Sequence, residues 1–408
     1  MKKSHLSTNL IILLFSGLFV VNACKKSTDY KATPDKPDIS VTLNQMVTET
    51  YDDYMAKYPG FPGGFAIQVL SARGDGFAQQ GVDPSLTNRY HFRAQSTTKT
   101  ITAAGIMLLH QQGLLDFRQL ITDTIPGTDY PYLPATPDYD IPYKDQITIW
   151  DLLTHRAGVW DLVNTEIGQA FLDSILLENP NHTFSIDELT RFIAEYQLSH
   201  FAPGESWHYS NSGYQLLAKI IERVSGKTYR QFLTDEFVIP LGLTDTSFPD
   251  QGSDQTIPGP FVDSWAWVEG QSYNLTEQNM SPNVGEGNMI TSARDMSKFY
   301  QLLLKGEARV DIAHVSKYMM DCRLISPIST VGYGTGLFHY VNLGYGHGGD
   351  GAGFTIRCFT DPYSEFTVLG FFNCWNYKEG LGDRSYFNET DELLWNLLYR
   401  VKGEIAGY

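Results

Sequence analysis

The chain has 408 residues, of which 42% are hydrophobic and 13% aromatic, and this is enough apolar material for one large or two ordinary folded domains. Its 36 glycines and 19 prolines indicate many turns and long connections rather than disorder. The formal net charge of -16 argues against binding to phosphate backbones, so we expect no nucleic-acid partner.

The N-terminus has the pattern of an export signal. Residues Met1–Lys3 are basic, and the apolar run Leu10–Val21 is too short to span a bilayer comfortably. Cys24 follows directly after a small residue, which resembles a bacterial lipoprotein signal over residues 1–24 with Cys24 as the lipidated residue. Simple cleavage and an uncleaved anchor are the alternatives. The polar segment 25–37 would be a tether, so we expect an exported protein facing the periplasm or the cell exterior, with the lipid as its membrane contact.

The first predicted elements are one helix and three strands. Apolar residues recur at helical spacing from Ile39 to Met55 and predict an amphipathic helix. Three short segments rich in β-formers follow, and we expect them to form an antiparallel meander: GGFAIQVL, GFAQQG and RYHFRA. A further helix is predicted to begin near Ser96, and its sequence is almost wholly apolar after Lys99.

The middle of the chain, from about 112 to 332, is predicted to be a helical, loop-rich lobe. Its clearest helical segments are TIWDLLTHRAG, IDELTRFIAEYQL, GYQLLAKIIERVSGKTYRQFLTDEFV and SARDMSKFYQLLLKG. Strand patterns then return, and ETDELLWNLLYRV predicts a last helix. Strands at both chain ends predict an α+β fold over residues 38–408, in which an antiparallel sheet built from both ends is flanked by helices and a helical lobe is inserted. A cleft between lobes is a common ligand site.

Ser96 and Lys99 stand three residues apart at the start of this apolar helix. Residues at that spacing share a helix face, so the hydroxyl and the amine can lie within hydrogen-bond reach. Burial would lower the lysine pKa from about 10.4 and make available a neutral amine that accepts the serine proton. An activated serine of this kind is a route to acyl-enzyme chemistry. The SxxK pattern alone is also common at helix caps whose lysine is exposed.

Two further motifs give the pair a context. Tyr209 and Asn211 lie at a turn before a long predicted helix, and His347–Gly349 lies in a predicted strand. Together with the phrases ITIWDLLTHRAGV, PLGLTDTSF and GNMITSARDMSKF, the chain resembles the serine β-lactamase and penicillin-binding-protein superfamily. The resemblance is strongest to the branch of class C β-lactamases, D-alanyl-D-alanine carboxypeptidases and family VIII esterases. It covers nearly all of the chain after about Val41 and implies the β-lactamase/transpeptidase-like fold.

The resemblance implies a catalytic role for each matching residue. Ser96 corresponds to the nucleophile and Lys99 to the motif lysine. Tyr209 corresponds to the motif tyrosine, and Tyr209 and Lys99 would share general-base and general-acid work, passing the serine proton to the leaving group. Asn211 would orient Lys99 and the substrate carbonyl.

The run from His347 to Gly349 occupies the place of the family's KTG strand. The backbone N–H groups of Ser96 and Asp350 would then form the oxyanion hole. His347 replaces a lysine that suits a substrate carboxylate, and a histidine is mostly neutral near pH 7, which weakens the case for a dedicated β-lactamase. The carboxylate of Asp350 would repel anionic substrates. A hydrogen-bonded strand residue without substrate contact is the alternative role for His347.

The sequence gives weaker evidence for a functional role of several other residues. We interpret His155 as structural, and we expect Trp160 and Asp161 to line the cleft entrance. Trp265 and Trp267 are more typical of packing than of a substrate platform. The cysteines after Cys24 show no CxxC spacing and predict buried thiols without a disulfide framework: Cys322, Cys358 and Cys374. The sequence contains neither HxH nor HExxH, so we expect no metal and no cofactor.

These patterns lead to one principal hypothesis and two alternatives. The principal hypothesis is an exported serine hydrolase that acts through a Ser96 acyl-enzyme on an ester or amide bond of a small molecule or peptide. Esterase or D-amino-acid peptidase activity is favoured over strong β-lactamase activity. The first alternative is an acyltransferase that passes the acyl group to a small alcohol or amine. The second is a noncatalytic receptor that binds peptidoglycan or penicillin.

Overall fold

A computed structural model describes residues 38–377, 380 and 385–407. The predicted export signal, the tether and the predicted lipidation site Cys24 lie outside the described residues. The helices are α1 (Ser40–Lys57), α2 (Thr98–Gln111), α3 (Ile149–Leu153), α4 (Glu166–Glu178), α5 (Ile186–Glu195), α6 (Asn211–Ser225), α7 (Tyr229–Leu233), α8 (Ile239–Leu241), α9 (Ala293–Leu304), α10 (Ile312–His314) and α11 (Ser385–Lys402). Short 3₁₀ turns cover Gln95–Thr97, Pro137–Tyr139 and Ser281–Asn283, and π-helical turns cover Thr234–Val238, Val315–Met319 and Gly403–Gly407.

The strands form one large sheet and two small ones. They are β1 (Phe65–Ser71), β2 (Gly74–Gln80), β3 (His91–Arg93), β4 (Trp265–Val268), β5 (Gln271–Asn274), β6 (Ile290–Ser292), β7 (Arg323–Leu324), β8 (Gly332–Tyr333), β9 (Phe338–Tyr340), β10 (Gly344–Gly351), β11 (Phe354–Asp361), β12 (Phe366–Phe372) and β13 (Cys374–Tyr377). The large sheet has eight strands in the order β2-β1-β12-β11-β10-β9-β8-β7, and all neighbours are antiparallel. It joins strands from both chain ends, which confirms the predicted α+β fold.

Alternate side chains of the central strands enter two different cores, because successive residues of a strand point to opposite faces. On β12, Val368 and Phe372 belong to the core shared with α1 and α11, whereas Leu369 and Phe371 belong to the core shared with α2, α6 and α9. Gly370 lies between them, and a Cβ there would come 2.8 Å from Leu394 of α11. Helix α11 therefore packs closely on the sheet.

The predicted three-stranded meander is wrong in its third member. Strands β1 and β2 pair with each other, but β3 pairs with β6, with His91 opposite Ser292 and Arg93 opposite Ile290. On its other side, His91 N–H donates to Pro260 O at 2.9 Å. The sequence pattern carries the preference for a strand but not the identity of a distant partner. The region between 112 and 332 likewise contains the short strands β4 to β7 among its helices and loops.

The long helical segment predicted after Asn211 is broken into α6 and α7. Gly226 has a left-handed backbone with φ +70°, which ends α6 in the way that glycine commonly ends helices. The side chain of Thr228 then accepts a hydrogen bond from the N–H of Gln231 and starts α7. The apolar periodicity continues across the break and does not show it.

No helix within the described ranges is both long enough and apolar enough to cross a membrane.

Candidate active site

The 3₁₀ turn before α2 presents Ser96 at the wall of a large cavity. Gln95 precedes it with φ +51°, a left-handed backbone that costs a non-glycine residue about 1–3 kcal/mol. The side chain of Gln95 donates from Nε2 to Gly351 O at 3.1 Å, which ties the turn to strand β10. From Thr98 to Leu109, α2 is buried on every side, as its apolar sequence predicts. The nucleophile candidate is therefore held by a rigid helix and a constrained turn.

Lys99 lies one helical turn from Ser96 and is completely buried. Its Nζ is 3.1 Å from Ser96 Oγ, 2.6 Å from Asn211 Oδ1, 3.0 Å from the carbonyl oxygen of Glu286 and 2.9 Å from Glu286 Oε2. An ammonium has three protons and cannot donate to all four oxygens at once. The serine contact is the longest of the four, and the Ser96 hydroxyl becomes the donor when the amine is neutral.

Glu286 is the principal residue of this site that the sequence analysis missed. Its carboxylate forms a buried ion pair with Lys99, with 0% of the lysine side chain and 4% of the glutamate side chain exposed. Glu286 stands between two glycines, immediately before the phrase GNMITSARDMSKF, and follows a 3₁₀ turn. The sequence hints at Glu286 only through its position between two glycines, beside a segment that resembles the family. No spacing rule connects Glu286 to Lys99.

Two effects shift the pKa of Lys99 in opposite directions. Burial lowers the pKa of Lys99 from the ordinary lysine value, whereas the carboxylates of Glu286 and Asp161 oppose that shift. The direction agrees with the expectation from the sequence.

Tyr209 closes the same space from the turn before α6. Lys99 Nζ lies 4.7 Å from the centre of the Tyr209 ring. Burial raises the pKa of Tyr209 well above its ordinary value, and the hydrogen bond that Ser96 offers to the phenol opposes the rise. The phenol is therefore protonated at neutral pH.

Asn211 is the first residue of α6 and is buried beside Lys99. Its Nδ2 donates to both carboxylate oxygens of Asp161, at 3.3 and 3.2 Å. The expectation that Asp161 and Trp160 line the cleft entrance is wrong for both residues. Asp161 is buried beneath the cavity wall, and Trp160 packs near Phe192 with ring centres 6.3 Å apart.

His347 lies on β10 and lines the cavity, although only 1% of it is exposed. Its Nδ1 is 2.6 Å from the carbonyl of Gly348, which can only accept, so Nδ1 carries the proton. Its Nε2 lies 3.3 Å from the hydroxyl of Tyr333 and accepts from it. Burial lowers the pKa of His347 to about 3, with the charge of Lys99 adding to the shift. The ring is neutral at physiological pH and supplies no cation.

Gly349 brings β10 against the start of α2. A Cβ at this position would lie 2.5 Å from Ala94 O and 3.2 Å from Ser96 N, so only glycine allows the strand to pass this close. Asp350 follows on the same strand and lines the cavity. Strand β10 therefore passes very close to the turn that carries the backbone N–H of Ser96.

The carboxylate of Asp350 belongs to an ion-pair chain. Asp350 Oδ1 accepts from Arg357 Nη1 at 3.0 Å, and Arg357 Nη2 donates to Asp391 Oδ1 at 2.6 Å. The side chain of Arg357 is 6% exposed and that of Asp350 is 42% exposed. The guanidinium is thus held between two carboxylates and is not free to bind an anionic ligand.

The cavity around these residues measures about 1070 Å³. The acidic residues among the described residues that line it are Glu166, Asp173, Glu286, Asp350 and Asp391. Arg357 is the one lysine or arginine in the same lining set, and Lys99 lies buried behind it. Six of the described aromatic side chains also line the cavity: Tyr209, Phe338, Tyr340, Phe359, Trp375 and Trp395. The cavity therefore combines an acidic surface with large apolar contacts.

The other residues considered in the sequence analysis lie in packed positions that indicate a structural role. His155 is buried, and its Nδ1 accepts from the N–H of Ser210 at 3.1 Å, next to the Tyr209 ring. Trp265 and Trp267 pack against the core beneath α1 and α11. Cys358 and Cys374 are buried free thiols, and Cys322 is a half-buried one. Within the described part of the chain, no group of three His, Cys, Asp or Glu side chains is arranged to hold a metal ion.

Comparison with known proteins agrees with this arrangement. The Beta-lactamase family model matches residues 52–388. Penicillin-binding protein 4* of Bacillus subtilis (strain 168) is 25% identical over 262 residues, which cover 59% of this chain and 50% of that protein. The chain therefore spans half the length of this relative.

Two solved structures are similar over most of the chain. A D-stereospecific amidohydrolase from Streptomyces sp. superposes with a TM-score of 0.70 at 24% identity, covering 85% of this chain and 98% of that one. The D-amino acid amidase from Ochrobactrum anthropi SV3 gives a TM-score of 0.69 at 23% identity, covering 89% and 99%. Both comparisons show the β-lactamase/transpeptidase-like fold. The chain therefore belongs to the β-lactamase family, within the superfamily of serine β-lactamases and penicillin-binding proteins.

Proposed function

We propose that this protein is an exported serine hydrolase that cleaves ester or amide bonds through an acyl-enzyme on Ser96. The observation that carries the proposal is the 3.1 Å contact between Lys99 Nζ and Ser96 Oγ at the wall of the cavity. A buried amine with a lowered pKa beside a hydroxyl is a base beside a nucleophile. A binding module without chemistry has no physical need for this pair together with Tyr209 and Asn211.

In the proposed acylation, Lys99 takes the proton of Ser96 as Oγ attacks the substrate carbonyl carbon. Tyr209 gives its phenolic proton to the leaving oxygen or nitrogen, and Lys99 then returns a proton to Tyr209. The N–H groups of Ser96 and Asp350 hold the oxyanion, and one such donor typically contributes about 2.7–4 kcal/mol to the transition state. Asn211 keeps Lys99 in position through its 2.6 Å hydrogen bond.

The charge of the cavity supports substrates with a neutral or cationic acyl part. Five carboxylates line it, and its one lining arginine is already paired with two of them. With His347 neutral, the described residues that line the cavity offer no free cation to a substrate carboxylate. We therefore place amides or esters of D-amino acids with a free amino group first, in line with the activities for which the two structural relatives are named. Simple esters come second, and β-lactams are at most slow substrates.

Export and anchoring belong to the proposal on the strength of the sequence alone. The basic start, the apolar run Leu10–Val21 and Cys24 together support a lipoprotein signal over residues 1–24, with 25–37 as a tether. The enzyme would then act outside the cytoplasm, at a membrane surface, on small molecules or peptides. Labelling of the mature N-terminus with a radioactive fatty acid, lost in Cys24→Ala, tests this part separately.

The decisive experiment is covalent labelling of the folded protein. We expect a fluorophosphonate to modify Ser96, as mapped by mass spectrometry, and Ser96→Ala to lose both labelling and turnover of D-phenylalanine amide and nitrophenyl acetate. Ser316→Ala, an exposed serine, is the matched control and should keep both. Absence of labelling on the folded wild-type protein, together with no turnover, would favour a receptor. Transfer of the acyl group to added alcohols or amines in place of hydrolysis would favour an acyltransferase.

A further inference from the structure

The carboxylate of Glu286 has no part in the acylation described above. It is nevertheless buried against the catalytic lysine and reaches the cavity that contains Ser96. A buried carboxylate is costly to maintain unless it is paired and hydrogen-bonded. A hydrolase also needs a group that activates water once the acyl-enzyme has formed, and in that step Lys99 is needed to return a proton to Ser96 Oγ.

The position of Glu286 is fixed from several directions. Asn283 Nδ2 donates to Oε1 at 2.6 Å, and Lys99 Nζ donates to Oε2 at 2.9 Å. The backbone carbonyl of Glu286 also accepts from Lys99 at 3.0 Å. The preceding Gly285 has φ +87°, and a Cβ there would lie 2.7 Å from the carbonyl of Tyr214, so the chain is pressed against α6. The carboxylate is thus preorganised, with one edge toward the cavity.

The other carboxylates of the described cavity wall have different surroundings. Asp350 and Asp391 are bound to Arg357, and Glu166 and Asp173 are exposed on α4 at the mouth. Among these lining carboxylates, Glu286 alone contacts Lys99, which in turn contacts Ser96. It is therefore the carboxylate with a hydrogen-bonded path to the oxygen that must leave during deacylation.

We propose that Glu286 is the general base of deacylation, which takes a proton from the water molecule that attacks the acyl group on Ser96. The inference rests on the proposed acyl-enzyme and goes beyond it by assigning the second half-reaction to a residue outside the family motifs.

The step balances through the observed contacts. A water proton moves to Glu286 as the water oxygen bonds to the acyl carbon. The bond between that carbon and Ser96 Oγ then breaks, which releases a carboxylic acid. Lys99, which acylation leaves as a neutral amine, takes that proton from Glu286 across the 2.9 Å contact and passes one to Oγ across the 3.1 Å contact. Ser96, Lys99 and Glu286 return to their starting protonation, and no further reactant is required.

The test separates acylation from deacylation in Glu286→Gln, using a chromogenic nitrophenyl ester and rapid mixing. Glutamine keeps the shape of the side chain but cannot accept a proton from water. We expect a burst of one nitrophenol per enzyme, a deacylation rate reduced by about 10²- to 10⁴-fold, and an acyl adduct on Ser96 in the mass spectrum. The acylation rate should stay within about tenfold, since loss of the carboxylate removes an interaction that raises the pKa of Lys99.

Two further measurements exclude a merely structural role. Hydroxylamine attacks esters with little help from a base, so it should restore turnover of Glu286→Gln while accelerating the wild-type enzyme far less. Glu222→Gln is the matched control, because Glu222 is a half-buried carboxylate on α6 that accepts a hydrogen bond from the N–H of Tyr229 and lies outside the cavity wall. It should show wild-type burst and steady-state kinetics.

The outcomes distinguish this proposal from the one on which it rests. If Glu286→Gln turns over at the wild-type rate, or if it loses the burst while the wild-type enzyme forms the Ser96 adduct, Glu286 is not the deacylation base and the serine hydrolase remains. If the folded wild-type enzyme forms neither adduct nor product with any substrate of the panel, the acyl-enzyme itself is refuted, and this assignment is refuted with it.

Discussion

Asn211 lies between Lys99 and Asp161 and contacts each with a different end of its amide. Its Oδ1 accepts from Lys99 Nζ at 2.6 Å, and its Nδ2 donates to the carboxylate of Asp161. Turning the amide over would place its NH₂ group against the lysine amine and its oxygen against a carboxylate. Asp161 therefore fixes the orientation in which Asn211 supports the lysine.

Asp161→Asn tests this relay through the pH profile. The variant removes a negative charge that raises the pKa of Lys99, so that pKa falls further. Because the deprotonated amine is the base, the acidic limb of the kcat/KM profile should move to lower pH. We also expect a loss of about tenfold at the pH optimum, since the amide of Asn211 is no longer held in one orientation. A limb that moves to higher pH would contradict the assigned role of Lys99.

The central pair of the site followed from local spacing. Ser96 and Lys99 are neighbours because three residues make almost one helical turn, and this holds in any fold that keeps the helix. Tyr209 and Asn211 were placed beside them through the family resemblance, and the structure brings all four side chains together. Contacts between residues that are close along a helix, or that belong to a shared motif, can thus be predicted from the sequence.

Contacts that depend on the conformation of a loop could not be predicted from the sequence. Glu286 is 187 residues from Lys99 along the chain, and its contact depends on a turn whose path no periodicity describes. The sequence predicts Asp161 at the cleft entrance, yet the chain folds it inward to meet Asn211. Strand β3 shows the same limit, because its β-forming residues predict a strand but not its pairing with β6.

Gly349→Ala tests the close approach of β10 to the nucleophile. The added Cβ would lie 2.5 Å from Ala94 O, so either the strand or the turn before Ser96 must shift. A displacement of about 1 Å in such a site can reduce the rate by about 10²-fold. We expect kcat to fall by that order in a steady-state assay while the circular dichroism spectrum stays native.

Gly213→Ala is the matched control for this substitution. Gly213 lies in α6, and a Cβ there would meet its neighbours only at ordinary van der Waals distances of 3.8 Å or more. Alanine is the better helix former by about 1 kcal/mol, so the melting temperature should rise slightly and activity should persist. Equal losses of activity in both variants would show that the effect of Gly349→Ala is not specific to the strand beside Ser96.

The buried His347 makes stability depend on pH. Its folded pKa is about 3, whereas an unfolded histidine titrates near 6.5. Between these values the unfolded chain binds more protons than the folded one, so the free energy of unfolding falls as the pH falls from about 6.5 toward 3. One such group contributes a slope of at most about 1.4 kcal/mol per pH unit.

His347→Gln isolates this contribution in urea denaturation at several pH values. Glutamine does not titrate, so the variant lacks this slope even if it is less stable at pH 7. We expect the difference in unfolding free energy between wild type and variant to narrow by about 2 kcal/mol between pH 7 and pH 4.5. A difference that stays constant or widens would mean that the folded histidine titrates near its ordinary value.

Asp350→Asn probes how the acidic cavity selects substrates. Asn keeps the size of the side chain and the backbone N–H, but Arg357 is left with Asp391 as its ion-pair partner. The cavity gains one unit of positive charge, and because Asp350 is partly exposed the effect is limited to about 1 kcal/mol. The rate of acylation by a penicillin, relative to a neutral ester, should therefore rise about fivefold, and the advantage should shrink at high salt. An equal change for both substrates at every salt concentration would place the effect in the oxyanion hole instead of in the charge.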